Sequence, residues 1–427
     1  MNFNTLLLRL GISLENFVNK DSLAIPIEGG MLYEVEQSKA KHNCPFCNNE
    51  NVRISGYYYT QTKCSESENF KDILRIKRVR FRCKKCGRTF SPKIEGIKRY
   101  STISDQVERF IINDFIKPLT FAEIAKRYGL GKQRIIQIFD DKVKYVPRRE
   151  MPRILCIDEL KFSEEYDQNY CCVLYDFEKK EIVDIIRNRQ IAYLREYFAS
   201  VPLKERENTK YFISDMYDAY STVCANYFPH AVHIIDKFHI ITQLTRAVNS
   251  LRVITMNSIK NNKEKEPFYN FMKGNWKCFL CRRENIPDKK YTYMKTGEVF
   301  HYDELVFSSI KLNDNFLKGY LTLQDLMHQS YFSTYDETLI FIKFLSQTLN
   351  NSGSDLLIKV GNTFHKWRFE IANAYTRDAK KNKYTNAIAE CINNQLKTII
   401  KSAYGYHNFQ RFRKRAMLII TYSKKDI

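Results

Sequence analysis

No apolar run in this sequence approaches the roughly 20 residues that a membrane-spanning helix needs. It also lacks internal repeats and low-complexity tracts. The opening stretch, Met1 to Val18, is too short and too interrupted for a signal peptide: Leu6-Leu7-Leu8 is broken by Arg9 and then Glu15. It reads as a small amphipathic helix. Without an export signal, the twelve cysteines are expected to be metal ligands and buried thiols rather than disulfides. The expected location is the bacterial cytoplasm, in association with the nucleoid, and no membrane partner is expected. Acidic residues are in short supply. The 48 Asp and Glu against 69 Lys and Arg leave a net charge of +21 and a pI near 9.3. Such a surplus favours a polyanionic partner, with nucleic acid the default. The hydrophobic fraction of 44% over 427 residues excludes a disordered tail and leaves room for two or three domains.

The cysteines are not scattered. Cys44-Pro45-Phe46-Cys47 and Cys83-Lys84-Lys85-Cys86-Gly87 are two Cys-x-x-Cys knuckles. The segment between them is strand-like, with Tyr57 to Thr60 and the alternation Val79-Arg80-Phe81-Arg82-Cys83. Four thiolates suit one tetrahedral structural zinc, as in ribbon modules. His42 and Cys64 are weaker alternative ligands. Cys278 and Cys281 form a third pair beside Trp276, without a partner pair, and are expected to pack in a core. Cys171 and Cys172 lie in an expected strand and should be buried.

Helical periodicity follows. Thr120-Phe121-Ala122-Glu123 is a capping box that opens a helix continued by Ile124, Ala125 and Tyr128. Gly129-Leu130-Gly131 makes a turn. A second helix starts at Lys132, with Ile135, Ile138 and Phe139 inside and Lys132, Gln133, Arg134 and Gln137 outside. This is a helix-turn-helix pattern in which Arg and Gln read base edges in the major groove and Lys holds phosphate.

Between residues 150 and 240 strands and helices alternate. Ile154–Asp158, Tyr170–Tyr175 and Ile182–Ile186 read as strands with short connections, an antiparallel meander. A helix at about 191–200, a strand at Tyr211–Ser214, a helix at about 218–226, a strand at Ala231–Ile235 and a further helix follow. This is the order of a ribonuclease-H-like α/β (α+β) fold, in which the first and fourth strands lie side by side. Asp158 and Asp215, each following such a strand, would then meet. Two carboxylates held close repel each other unless a proton or cation lies between them. Two hard divalent ions, magnesium or manganese, suit oxygen ligands and serve in-line displacement at phosphorus. That arrangement needs a third carboxylate. Glu390 is the candidate, on a helix where Glu390, Asn394, Lys397 and Lys401 form one stripe and Ile388, Ile392, Leu396 and Ile399 another. Asn394, Lys397 and Lys401 are expected to meet a nucleic-acid backbone. Among competing acids, Glu159 should point to the opposite strand face, Asp176 suits a meander turn, and Asp236 suits a supporting or ligand position. His239 reads as structural.

At this point the chain resembles a bacterial insertion-sequence transposase of the ISL-three group. The resemblance rests on the cysteine knuckles, on Ile157-Asp158-Glu159, on Asp215-Met216-Tyr217 and on Asp236-Lys237-Phe238-His239. Its most specific stretch runs from Thr385 to Lys397 and continues through Ala403-Tyr404-Gly405-Tyr406-His407-Asn408-Phe409 to Arg413. It departs from the group at Cys391, where glycine is usual, and at Ser402, where a basic residue is usual. The resemblance implies that Asp158, Asp215 and Glu390 are an acidic triad and that the helical block between Asp215 and Glu390 is an insertion domain. The expected organisation is a helical lead (1–40), a zinc-binding module (41–100), a helix-turn-helix domain (101–148), a catalytic core (150–240), a helical insertion (241–380) and C-terminal helices of the core (384–427). The expected function is metal-dependent strand cleavage and strand transfer at terminal inverted repeats, on double-stranded DNA, by a homodimer or higher oligomer. A DNA-binding regulator without chemistry and a nuclease of the same fold are the alternatives.

Overall fold

Alternation of apolar and polar side chains builds the first sheet. In the computed structural model, which describes residues 3–18, 23–40, 42–64, 71–162, 169–328, 334–376, 387–403, 406 and 408–422, the long strands β3 (Val52–Lys63) and β4 (Lys71–Cys83) pair antiparallel. β1 (Leu23–Ile27) and β2 (Gly30–Glu36) form a hairpin whose second strand joins β4 in parallel, and β5 (Thr89–Phe90) pairs with β4 on its own. The first 40 residues are therefore more than a helical lead. The helix Phe3–Leu10 seats Leu6 and Leu7 in a core with Tyr33, Val35, Leu74, Ile76, Ile94 and Ile97. Tyr33 and Val35 bury, while Glu34 and Glu36 between them meet Arg75 and Lys77 across the sheet.

The chain divides into two units, Met1–Pro147 with Leu396–Ile427, and Arg148–Gln395. The first unit also holds helices Asp105–Asp114, Phe121–Arg127 and Lys132–Lys142, packed on Ile111, Phe115, Ile124, Ile135 and Phe139. The C-terminal helix Phe409–Tyr422 belongs to this unit, not with the catalytic core expected for 384–427. The reason is chemical. Arg411 makes a forked pair with Asp140, Arg413 donates to the Val146 carbonyl, and Arg415 donates to the carbonyls of Lys117 and Leu119. Arg415 is 1% exposed and lies against the rings of Phe115 and Phe121.

In the second unit β6 (Ile154–Lys161), β7 (Tyr170–Asp176) and β8 (Glu181–Ile186) form the expected antiparallel meander. β9 (Tyr211–Ser214) joins β6 in parallel, and β10 (Val232–Ile235) joins β9 in parallel, giving the order β10-β9-β6-β7-β8. β7 and β8 are buried along nearly their whole length, as strands covered on both faces must be. One face packs Leu155, Ile157 and Leu174 against Leu194 and Phe198 of helix Ile191–Ala199 and Tyr220 and Val223 of helix Asp218–Tyr227. Helix Leu203–Asn208, six residues long, has no clear periodic signal in the sequence. The described residues of 241–376 are mostly helical, with one small hairpin among them, β11 (Lys290–Thr292) and β12 (Val299–His301). Cys278 is buried and Cys281 contacts its carbonyl, as core packing requires; Cys171 and Cys172 are fully buried. Among the described residues no helix is long and apolar enough to cross a membrane.

Candidate active site

The β6–β9 ladder ends with Cys156 opposite Ile213. Two residues further along each strand stand Asp158 and Asp215, and a two-residue step returns a side chain to the same face. Beside them, β10 ends with Ile235 opposite Ser214, so the next residues are Asp236 and Asp215. Three carboxylates thus cluster at the same end of three parallel strands. Asp158 does not end its strand as expected: β6 runs on to Lys161, because β7 continues the ladder after β9 has stopped.

Asp158 Oδ1 accepts the Glu159 N–H at 2.8 Å, and Oδ2 accepts Asn393 Nδ2 at 2.7 Å. Asn393 is buried, and its Oδ1 accepts the hydroxyl of buried Tyr175. Burial pushes the Asp158 carboxyl above its ordinary range; the nearby His239 opposes this, and Asp236 and Glu159 add to it. Burial, then the charge of Glu159, push Asp215 up to about 7, with His239 and Arg189 opposing. Asp215 Oδ1 is buried with no hydrogen-bond partner. Glu159 is held elsewhere, by Arg189 at 2.6 Å and Tyr220 at 3.4 Å, with the Arg189 guanidinium over the rings of Tyr170 and Tyr217. Asp236 caps helix Lys237–Ser258, accepting Phe238 N–H. Asp176 accepts the N–H groups of Glu178 and Lys179, the turn role expected of it.

Glu390 lies on helix Ala387–Ser402, one turn before Asn393; its side chain is outside the described residues, as are Thr385, Asn386, Tyr404, Gly405 and His407 of the family-like stretch. Further along that helix Ile392, Leu396 and Ile399 are buried, and Asn394, Lys397 and Lys401 are exposed. The amide that meets Asp158 is thus Asn393, backed by Tyr175, and not the exposed Asn394 expected on the stripe with Glu390.

The hard oxygen donors of Asp158 and Asp215 fit divalent cations. Asp215 Oδ1 is buried without a partner and burial pushes both carboxyls up, so a divalent cation held there would offset both costs. Among the described residues, the one group of three or more His, Cys, Asp or Glu with ligand atoms within 4.8 Å of one another is Cys44, Cys47, Cys83 and Cys86. The two knuckles have the same local geometry. In the first, Cys44 N–H donates to the Asn49 carbonyl and Asn48 N–H to the Cys44 carbonyl. In the second, Cys83 N–H donates to the Arg88 carbonyl and Gly87 N–H to the Cys83 carbonyl. Asn48 and Gly87 both take positive φ, 54° and 72°, the left-handed turn that glycine and asparagine tolerate best. The pairs Cys44–Cys86 and Cys47–Cys83 have sulfurs 3.6 Å apart, a soft donor set that can bind zinc. Cys64 is buried in a different core and His42 packs edge-on against Phe81, so neither joins the cluster.

Comparison with known proteins decides the family. Residues 155–416, more than half of the chain, match the model of the ISL3-type DDE family, described as transposase. The chain belongs to this transposase family. A relative, the transposase for insertion sequence element IS1001 of Bordetella parapertussis, is 21% identical over 348 residues, 80% of each chain. Members of the DDE class use divalent metals and act on DNA.

Upstream of the matched stretch, this transposase carries the expected pair of short helices. Thr120 and Glu123 close the capping box, Gly129 turns the chain at φ 58°, and Gly131 caps the second helix. Ile135, Ile138 and Phe139 are buried. Lys132, Gln133 and Gln137 are exposed and Arg134 is half-buried.

Proposed function

We propose that this transposase cuts DNA at the terminal inverted repeats of an insertion sequence and joins the freed ends to target DNA. Asp158, Asp215 and Glu390 form its acidic triad on a ribonuclease-H-like core, with the helical block 241–380 as an insertion. The observation that carries the reading is the parallel pairing of β6 and β9 with Asp158 and Asp215 two residues beyond their last shared pair. The strand order β10-β9-β6-β7-β8 supports the fold assignment.

The triad would hold two magnesium or manganese ions, which supply the charge that activates the attacking oxygen and stabilises the leaving one. The chain's own groups set the stage. Asn393 and the Glu159 N–H fix the two oxygens of Asp158. The nearby His239 opposes the rise of both carboxyls. Asn394, Lys397 and Lys401 present an amide and two cations to the phosphate backbone. The four cysteines hold one structural zinc, and this module with Lys132, Gln133, Arg134 and Gln137 of the second short helix binds the repeats. The reaction has two displacements. Water attacks phosphorus at the element end and breaks its P–O3′ bond, leaving a 3′ hydroxyl on the element and a 5′ phosphate on the flank; that hydroxyl then attacks a target phosphorus, and the target's own 3′ oxygen leaves as a hydroxyl. A homodimer or higher oligomer on DNA brings two ends together.

Incubation with a precleaved element end and a target duplex tests the reading. Strand-joined product in magnesium supports a transposase of this mechanism. Cleavage without joining would assign a nuclease, and binding without either would assign a regulator.

A further inference from the structure

The first unit contains a cavity of about 800 Å³ bounded by the first cysteine knuckle, β3, β4 and residues 90–99. It is within the range of roughly 300–1,000 Å³ of pockets that take a small molecule. Arg78 of β4 lines it. Arg78 is 6% exposed, its Nε is buried without a partner, and its side chain makes no hydrogen bond, ion pair or ring contact among the described residues. A guanidinium cannot shed its proton, and a buried cation without a counter-charge opposes folding. The other buried arginines differ: Arg252 donates to Asn249 and the Met272 carbonyl, and Arg415 to two carbonyls. Arg78 is therefore a nearly buried cation that lines a cavity.

The walls specify the ligand further. Phe46, Phe90 and Tyr58 bring three aromatic rings to the cavity, and Lys93 and Arg99 add positive charge at exposed positions. Of the two acids that line it, Asp105 is paired with Lys98 and Glu95 is exposed. A planar guanidinium takes two phosphate oxygens at once, and aromatic rings take a base by stacking. A regular duplex keeps its bases paired and stacked, so only an unpaired nucleotide offers both groups to one pocket.

We propose that this pocket binds one unpaired nucleotide of the DNA substrate, its phosphate on Arg78 and its base among Phe46, Phe90 and Tyr58. The proposal deepens the reading that the zinc module handles element-end DNA, and it rests on that reading. The test uses the full zinc-loaded chain, fluorescence anisotropy, and two labelled end duplexes, one flush and one with a single unpaired nucleotide. The wild-type chain should prefer the second at least about tenfold, and Arg78→Met should erase this preference with flush-duplex binding unchanged. An absent preference in the wild type, or one that survives Arg78→Met, overturns the pocket. Equal loss on both duplexes also overturns it and leaves the DNA-handling reading standing. If Arg78→Met does not fold, Phe46→Ala, at a half-exposed position, decides: a reduced preference supports the pocket and an unchanged one refutes it. Inorganic phosphate as competitor separates a plain anion site, where it erases the preference at millimolar concentration and overturns the nucleotide assignment, from a nucleotide site, where the preference persists.

Discussion

Asn393 donates its amide hydrogen to Asp158 Oδ2 at 2.7 Å and accepts the Tyr175 hydroxyl on its Oδ1. An ionised carboxylate only accepts. The amide therefore turns its Nδ2 to Asp158 and its Oδ1 to the Tyr175 hydroxyl, whose proton is held firmly because burial raises its pKa well above the ordinary value. Asn393 is thus a positioning residue. Asn393→Ala should lower metal-dependent cleavage by about 10–100-fold, the usual cost of losing a group that orients a metal ligand. The half-saturating magnesium concentration should rise at the same time, and Tyr175→Phe should shift it in the same direction by less. An unchanged magnesium requirement with lowered rate would leave Asn393 a merely structural role.

Asp215 yields a pH prediction. Its folded-state pKa is pushed up to about 7 by burial and the charge of Glu159, against about 3.9 for an unfolded aspartate. Between those values the folded chain binds more protons than the unfolded one, so stability falls as pH rises through this window. In metal-free protein the melting temperature should fall from pH 5 to pH 8 more steeply in the wild type than in Asp215→Asn. Magnesium should remove much of that difference at pH 8. Parallel melting curves with and without the aspartate would contradict the assignment.

Zinc content checks the knuckles. About one zinc per chain is expected by elemental analysis, as four thiolates bind one structural ion. Cys83→Ser combined with Cys86→Ser should lose it and destabilise the first unit. Retention of zinc in that variant would move the ligands elsewhere.

DNA recognition should separate by element. Arg134→Ala or Gln137→Ala should cost about 1–3 kcal/mol on the cognate end and little on scrambled DNA. Lys397→Ala or Lys401→Ala should weaken all duplexes alike and flatten the salt dependence. Titrations at several salt concentrations distinguish the two patterns. Equal losses on both duplexes for Arg134→Ala would transfer sequence reading to the zinc module.

β6 and β9 were legible because in each a short run of mostly buried residues is followed by an aspartate, Asp158 or Asp215. The knuckles and the capping box were legible for a similar reason, since local chemistry at fixed spacing defines them. Asn393 was not. Asn393 and Asn394 stand at i+3 and i+4 from Glu390, and both spacings return to the same helix side. Only tertiary packing, with Ile392 and Leu396 inside, turns Asn393 toward Asp158. The place of the C-terminal helix was hidden too. Arg411, Arg413 and Arg415 read as a basic surface, whereas their partners are an aspartate and carbonyls over 260 residues earlier in the chain. β1 and β2 escaped because a five-residue strand with a proline in it carries little periodic signal.

Asp158, Asp215 and Glu390 are expected to act together on DNA phosphate. The most direct measurement is magnesium-dependent cleavage of an element-end duplex by Glu390→Gln, alongside Asp158→Asn and Asp215→Asn, with binding measured on the same DNA. An amide keeps the size of the side chain and removes the charge that holds metal. Cleavage should fall to background in all three variants, with affinity for the end DNA nearly unchanged. Cleavage by Glu390→Gln at the wild-type rate would contradict this.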